Sequence, residues 1–398
     1  MKKILIFGSY PIEDAQHGGQ KRVEAIVKTY KTNGFLVRYV GVYDRSFYPK
    51  TGKHDIALHI DRKFNLTSAL TSDMSVGKLI YSDLKVRGRV KLLINEFDPD
   101  IIEIEQVFPY FGLAEVLREL RWKKPLIYNS QNIEYDLKDK ILKGAGVNNE
   151  ERKAIIDDIF SLERELVRVS NLVITCTKSD SEKYQSWGAK NIVCAPNGTS
   201  ELIRNSKLSE KLKNEYTGEG INKLILFIGS AHPPNETGFM DMIGSKIGFL
   251  KPDTRILLIG GVSELIRQRF SVDYRQYCVP LRVEFVGRVS EEKLAAFINI
   301  ADMIILPIVE GGGSNIKTAE ALMSGKKIVA TPIAMRSFEE FKQYPNVLIA
   351  KDGVQFRDSI SLLLRSPKLQ LSNTEISKLD SLKWESTLLP IVGALKEL

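Results

Sequence analysis

Lys317 and Glu320 stand three residues apart, just behind three consecutive glycines, Gly311, Gly312 and Gly313. On a helix that spacing makes the two side chains neighbours. The glycines let the backbone curl and let a ligand approach without meeting a Cβ. Ser314 or Asn315 can cap a helix starting near Ile316, and Gly325 falls where such a helix would stop. A helix N-terminus behind a glycine loop presents unpaired N–H groups and the positive end of a dipole, which suits a phosphate. A lysine one turn in can meet a phosphate oxygen, and a glutamate can accept two ribose hydroxyls. The plainer alternative is a surface ion pair worth about 0.3 kcal/mol beside a tight turn.

Other groups fall where strands give way to helices. Gly18, Gly19 and Gln20 follow the first apolar run, with Lys21 and Arg22 behind them. Ser230, His232, Pro233, Pro234 and Asn235 follow the run Leu224 to Ile228; Asn235 either caps the next helix or faces a ligand. Arg288 follows Gly287 at a strand end, where a guanidinium can pair with a phosphate. Glu134 follows the run Leu126 to Asn129 and can bind a hydroxyl or activate one, or be an ordinary loop carboxylate. Asp98 and Asp100 flank Pro99, and a turn before a strand accounts for them better than a metal site does.

The elements that must hold these groups read as α/β. Ile4 to Gly8, Val37 to Val42, Ile101 to Ile104, Leu126 to Asn129, Leu172 to Thr175 and Ile192 to Ala195 are strand-like, with helical spacing in Arg22 to Thr32 and Leu113 to Leu120. A second series comprises Leu224 to Ile228, Ile256 to Ile259, Val283 to Val286, Met303 to Leu306, Ile328 to Ala330 and Val347 to Ala350. Short apolar runs of this kind suit parallel strands covered on both faces. The alternation predicts two doubly wound, Rossmann-like domains, with ligands at the carboxyl ends of the strands. The polar stretch 201–222 reads as a linker between 1–200 and 223–375.

Composition sets the outer limits. A chain of 398 residues suits two domains, and 43% hydrophobic with 27% charged residues is ordinary for a globular protein. No apolar run reaches the roughly 18 residues of a spanning helix. The net charge is +8, with 31 basic against 26 acidic residues through Ser200 and 26 against 23 beyond it. That even spread argues against a nucleic-acid surface. Lys78, Lys85, Arg87, Arg89 and Lys91 are the local exception; they form a solvated helix face or contact anionic lipid. Cys176, Cys194 and Cys278 show no metal spacing and are expected to be free thiols of a reducing compartment.

The stretch Ala301 to Thr331 resembles the donor-binding region of GT-B glycosyltransferases, in particular the retaining family 4, or glycosyl transferases group 1. Phe227 to Asn235 is similar to that family's first loop of the donor domain. Val283 to Val289 resembles the strand and turn before its nucleotide pocket, and Pro196-Asn197-Gly198 resembles the motif closing its first domain. The chain departs at two points. Gln131 stands where the family often has a histidine, and Gly312 occupies the position eight before Glu320, with Glu310 off register.

The resemblance implies two Rossmann-like domains facing across a cleft, with residues 376–398 returning as a helix to the first and Pro390 marking a kink. It implies transfer of a sugar from a nucleotide-sugar to a hydroxyl of a glycan or glycolipid, with retention and without metal or cofactor, in bacterial surface polysaccharide or glycoconjugate synthesis. Gly18, Gly19, Gln20, Ser230, Asn235, Gly312, Gly313, Ser314, Asn315 and Glu320 are its expected donor contacts, and Glu134, Arg288 and Lys317 its catalytic groups. The expected location is cytoplasmic, with peripheral docking on the inner face of the plasma membrane and no nucleic-acid partner. A catalytically silent nucleotide-sugar or glycan-binding protein on the same fold is the alternative. A nicotinamide dehydrogenase is disfavoured because Gly8-Ser9-Tyr10-Pro11 lacks the glycine fingerprint.

Overall fold

The computed structural model describes residues 1–48, 51–60, 66–201, 203, 205–218, 220–271, 282–367 and 371–398. Two compact units result: Met1–Asn197 with Gly312–Ser314 and Thr387–Leu398, and Gly198–Gly311 with Asn315–Ser386.

The first unit is built on seven parallel strands: β1 (Lys3–Gly8), β2 (Leu36–Asp44), β3 (Ile56–Leu58), β4 (Ile101–Glu105), β5 (Leu126–Asn129), β6 (Leu172–Thr175) and β7 (Ile192–Cys194). Their order is β3-β2-β1-β4-β5-β6-β7. The second holds β8 (Lys223–Ile228), β9 (Thr254–Ile259), β10 (Val283–Gly287), β11 (Met303–Leu306), β12 (Lys327–Ala330) and β13 (Val347–Ile349), ordered β10-β9-β8-β11-β12-β13 and again parallel. Helices cover both sheets, so the strand interiors are mostly apolar; Ile4, Leu5, Ile6 and Phe7 of β1 are all buried, and Glu103 and Glu105 of β4 are buried polar exceptions. In each sheet the chain direction of crossovers reverses once, between β1 and β4 and between β8 and β11. Crevices outside the strand ends at such switch points are where open α/β sheets bind ligands.

Three expectations need correcting. The stretch 201–222 contains the helix Ser206–Tyr216, capped by Asn205 Oδ1 accepting from Leu208 N at 3.0 Å and anchored by buried Leu212. Gly18 and Gly19 are not open loop but the first residues of the helix Gly18–Thr32, because neutral His17 accepts from Gln20 N and caps it. Pro390 sits in the first turn of the helix Leu389–Glu397, where a missing N–H has no partner to lose, so no kink is needed. That last helix packs in the first unit against the helix Gly18–Thr32 and β7. Lys2 Nζ donates to its terminal carbonyls of Leu395 and Lys396, at 3.3 and 3.2 Å.

Close packing positions the second crevice. The helix Pro233–Met242 lies so tightly on the end of β11 that a Cβ at Gly238 would stand 1.9 Å from the Pro307 carbonyl oxygen. Among the described residues no helix is long and apolar enough to cross a membrane.

Candidate functional site

The second unit's crevice is assembled from the turns after β8 and β11. After β11 the chain passes Gly311, at φ 131°, and Gly313, at φ 56°, conformations that a side chain would strain. Gly312 and Ser314 complete that turn and, with Gly313, group with the first unit. Asn315 then caps the helix Ile316–Met323, its Oδ1 accepting from Lys317 N at 3.2 Å. Ile316, Thr318, Ala319, Ala321 and Leu322 are buried, and Thr318 Oγ1 donates to Ala334 O at 2.8 Å, which fixes the helix on its sheet.

With that face fixed, Lys317 Nζ reaches the other turn and donates to Asn235 Oδ1 at 3.0 Å. Asn235, only 7% exposed, is itself oriented by donating from Nδ2 to Ser230 O at 3.0 Å and Ser230 Oγ at 3.3 Å. It therefore joins the two turns and does not cap its helix, whose N-cap is His232. Burial lowers Lys317 to about 8, with the charge of Glu320 opposing the shift. Burial and then Lys317 also lower His232, against Glu310. The crevice thus holds an ammonium whose closest partner is a neutral amide, an arrangement that favours an added anion. Arg288 lies elsewhere: it is exposed and follows β10, the edge strand two places from β8 and so roughly 10 Å along the sheet.

In the first unit, Gln20 is consumed locally. Its Nε2 donates to Pro11 O at 2.7 Å and its Oε1 accepts from Gln16 N at 2.8 Å and His17 N at 3.3 Å, leaving it as a brace for the turn. Glu134 opens the helix Glu134–Gly144, which has no local side-chain cap. Glu163 caps it from a distance, accepting from Glu134 N at 3.0 Å and Tyr135 N at 3.2 Å, while the Tyr128 and Tyr184 hydroxyls donate to it at 2.9 and 2.7 Å. Burial raises Glu163, and those donors oppose the shift. Burial, then the charge of Glu163, push Glu134 up to about 8 against the pull of Lys138. At neutral pH Glu134 is therefore a carboxylic acid, a donor and not a base. Sequence reasoning missed Tyr10, Glu103, Glu105 and Glu163; the available signal for the middle pair was two glutamates spaced by one residue inside a strand buried on both faces.

The remaining expectations resolve in structural terms. Asp98 pairs with Lys124 Nζ at 2.7 Å, and Asp100 accepts from Lys3 N at 2.7 Å, so both brace the start of β4. No group of three histidine, cysteine or acidic residues able to hold a metal occurs among the described residues. Cys176 and Cys194 are free, the first buried and the second half-buried, and Cys278 lies outside the described residues. In the basic helix Leu84–Phe97, Arg87 and Lys91 pair with Glu119 at 3.7 and 2.5 Å, and Lys78 pairs with Asp158 at 3.3 Å.

Residues 222–366 match the family model described as Glycosyl transferases group 1. They form a group 1 glycosyltransferase domain. The chain as a whole has the GT-B fold of such enzymes. Sucrose-phosphate synthase from Thermosynechococcus elongatus superposes with a TM-score of 0.73 at 15% identity, over 100% of this chain and 99% of that one. Anabaena HepE, solved in complex with UDP, gives 0.71 at 14% identity over 100% of both chains. WaaG, a glycosyltransferase involved in lipopolysaccharide biosynthesis, gives 0.60 at 12% identity over 99% of this chain and 98% of that one. No curated protein matches the sequence significantly. Within this glycosyltransferase fold, Lys317, Asn235 and Ser230 occupy the switch-point crevice of the matched domain.

The Glu134 carboxyl makes a testable contribution to stability. Its folded value of about 8 lies above the ordinary 4.5, so its contribution is complete below about 4.5 and is lost as pH rises through about 8. The full swing is at most about 5 kcal/mol. E134Q cannot ionise, so it should gain thermal stability relative to wild type between pH 6 and 9, measured by calorimetry. A constant difference in Tm across that range would contradict the buried-acid assignment.

Proposed function

We propose that this glycosyltransferase moves a hexose from a nucleoside diphosphate sugar to a hydroxyl of a glycan or glycolipid, with retention of configuration. The observation that carries the reading is the half-buried Lys317 ammonium, set by Asn235 at the β8–β11 switch point of the group 1 domain. Uridine nucleotides are the first donors to test, because HepE was solved with UDP and with UDP-glucose.

Cleaving the bond from sugar to diphosphate leaves negative charge on the terminal phosphate. Lys317 and the N–H groups at the start of the helix Ile316–Met323 are pre-aimed donors for that charge, and they gain most when it is greatest. Glu320 lies one turn further along the same helix and accepts the ribose hydroxyls. Arg288, at the sheet edge, has a secondary role in this reading. Because Lys317 supplies positive charge, the reaction proceeds without a divalent cation. Glu134, protonated at neutral pH, binds a substrate oxygen as a donor.

A membrane-proximal acceptor, as in surface polysaccharide synthesis, is supported by the outer face of the helix Leu84–Phe97. Leu84 and Leu92 are 72% and 45% exposed, with Lys85 and Arg89 exposed beside them. Arg87 and Lys91 share the single charge of Glu119, and Lys78 pairs with Asp158, so the contact rests chiefly on Lys85, Arg89 and two leucines. Attraction of about 1 kcal/mol per cation suits weak, salt-sensitive binding.

Two measurements follow. UDP-hexoses should be consumed in a transfer assay that is undiminished by EDTA, and E320A should weaken UDP binding by about 1–3 kcal/mol. Loss of transfer in EDTA with recovery on adding manganese would refute metal independence, and unchanged UDP affinity would take Glu320 off the ribose. In sedimentation with vesicles, recovery should favour anionic over neutral lipid at low salt and drop in L84S/L92S; equal recovery on both lipids would remove the membrane contact.

A further inference from the structure

The first unit's switch point carries a polar array that the donor site does not use. Strand β4 places Glu103 and Glu105 on one face, both fully buried. Their carboxyls hydrogen-bond to each other, which requires a proton between them. Glu103 accepts from the Tyr30 hydroxyl and from Asn129 Nδ2, each at 2.9 Å, donors that suit its ionised form. Burial and the Glu103 charge keep the proton on Glu105. Arg22, 1% exposed, lends positive charge to both; its Nη1 donates to Ala195 O at 2.9 Å and Asn197 Oδ1 at 3.1 Å.

This array ends on Gln131. Gln131 Nε2 donates to Glu105 Oε2 at 3.3 Å and to the Tyr10 hydroxyl at 2.6 Å. Accepting at Glu105 Oε2 selects the nitrogen side of the amide, so Oε1 is turned the other way, towards the start of the helix Gly18–Thr32. A Cβ at Gly19 would stand 2.8 Å from Gln131 Oε1 and 2.6 Å from the Tyr10 oxygen. Tyr10 accepts from Gln131 and keeps its own hydrogen to give. Beside Gly19 the chain therefore presents one acceptor and one donor, the complement of an alcohol, on residues that are 9% and 6% exposed.

We propose that Glu105 is a positioning residue: it locks the Gln131 amide so that Gln131 Oε1 and the Tyr10 O–H together hold the hydroxyl of the sugar acceptor beside Gly19. The proposal rests on the glycosyltransferase reading. The acceptor hydroxyl donates to Gln131 Oε1 and accepts from Tyr10 as it binds; when its oxygen bonds the sugar carbon and the bond to the diphosphate breaks, its proton leaves with the diphosphate, since an amide cannot take one at neutral pH. The Gln131 position thus orients the nucleophile without deprotonating it.

Steady-state kinetics with varied acceptor and varied donor, on the full chain, tests this. E105L removes the partner of the amide and should raise the acceptor KM about tenfold with the donor KM unchanged. E105Q keeps one donor towards Glu103 and one acceptor towards Gln131, and should rescue the acceptor KM to near the wild-type value. Y10F, which removes one hydroxyl without altering packing, should raise the acceptor KM roughly three- to tenfold. An E105L acceptor KM equal to wild type, equal damage in E105L and E105Q, or a shift in donor KM would overturn the proposal. A readout independent of turnover is the Gln131 side-chain amide signal in glutamine-labelled protein, assigned by its loss in Q131L. It should exchange slowly in wild type and E105Q and fast in Y10F and E105L; indifference to all three refutes the lock. If wild type transfers no sugar, the glycosyltransferase reading falls and takes the acceptor with it, while the amide signal still decides whether Glu105 holds Gln131.

Discussion

A half-buried ammonium held by an amide is the constraint around which the second unit is organised. Desolvating such a group costs several kcal/mol unless charge or hydrogen bonds offset it. Lys317 recovers part of that cost from Asn235 and from the nearby charge of Glu320, and it still sits at about 8. Holding it there requires each surrounding feature: the close approach of the helix Pro233–Met242 to Pro307, the Ser230 brace on Asn235, and the glycine turn that starts the helix Ile316–Met323 at the right place. A diphosphate bound there would complete the charge.

The first unit manages the opposite sign. Four buried carboxyls, Glu103, Glu105, Glu134 and Glu163, lie near the carboxyl ends of its central strands. Burial raises all four, and hydrogen bonds oppose it at Glu163, from tyrosines and a helix N-terminus, and at Glu103, from Tyr30 and Asn129. The other two are driven to hold protons by burial and by those neighbours. The result is a lining rich in hydroxyl, amide and carboxyl groups, suited to hydroxyls, in contrast to the cationic crevice of the group 1 domain.

Much of this frame was legible in the sequence because buried parallel strands are apolar along most of their length. The runs beginning at Ile4, Leu126, Leu172 and Met303 therefore announced themselves within a residue of their ends. Ile56–Leu58 did not, since three residues carry too little pattern. The helix Ser206–Tyr216 was hidden because it buries little besides Leu212 and Ser209. Gly18 and Gly19 looked like loop because glycine is a poor helix former and histidine an uncommon cap; tertiary context overrode both. Lys317 and Asn235 were each visible as candidates, yet their hydrogen bond across 82 residues was not, and neither was the protonated state of Glu134, which depends on a glutamate 29 positions away.

The central claim is that Lys317 waits partly neutral for a diphosphate. Calorimetry of UDP binding at pH 8, in buffers of different ionisation enthalpy, tests it most directly. A lysine at about 8 is half protonated there, so binding should draw about half a proton from the buffer, and K317M should abolish that uptake. A binding enthalpy that does not depend on the buffer, or a proton uptake that survives in K317M, would contradict the account.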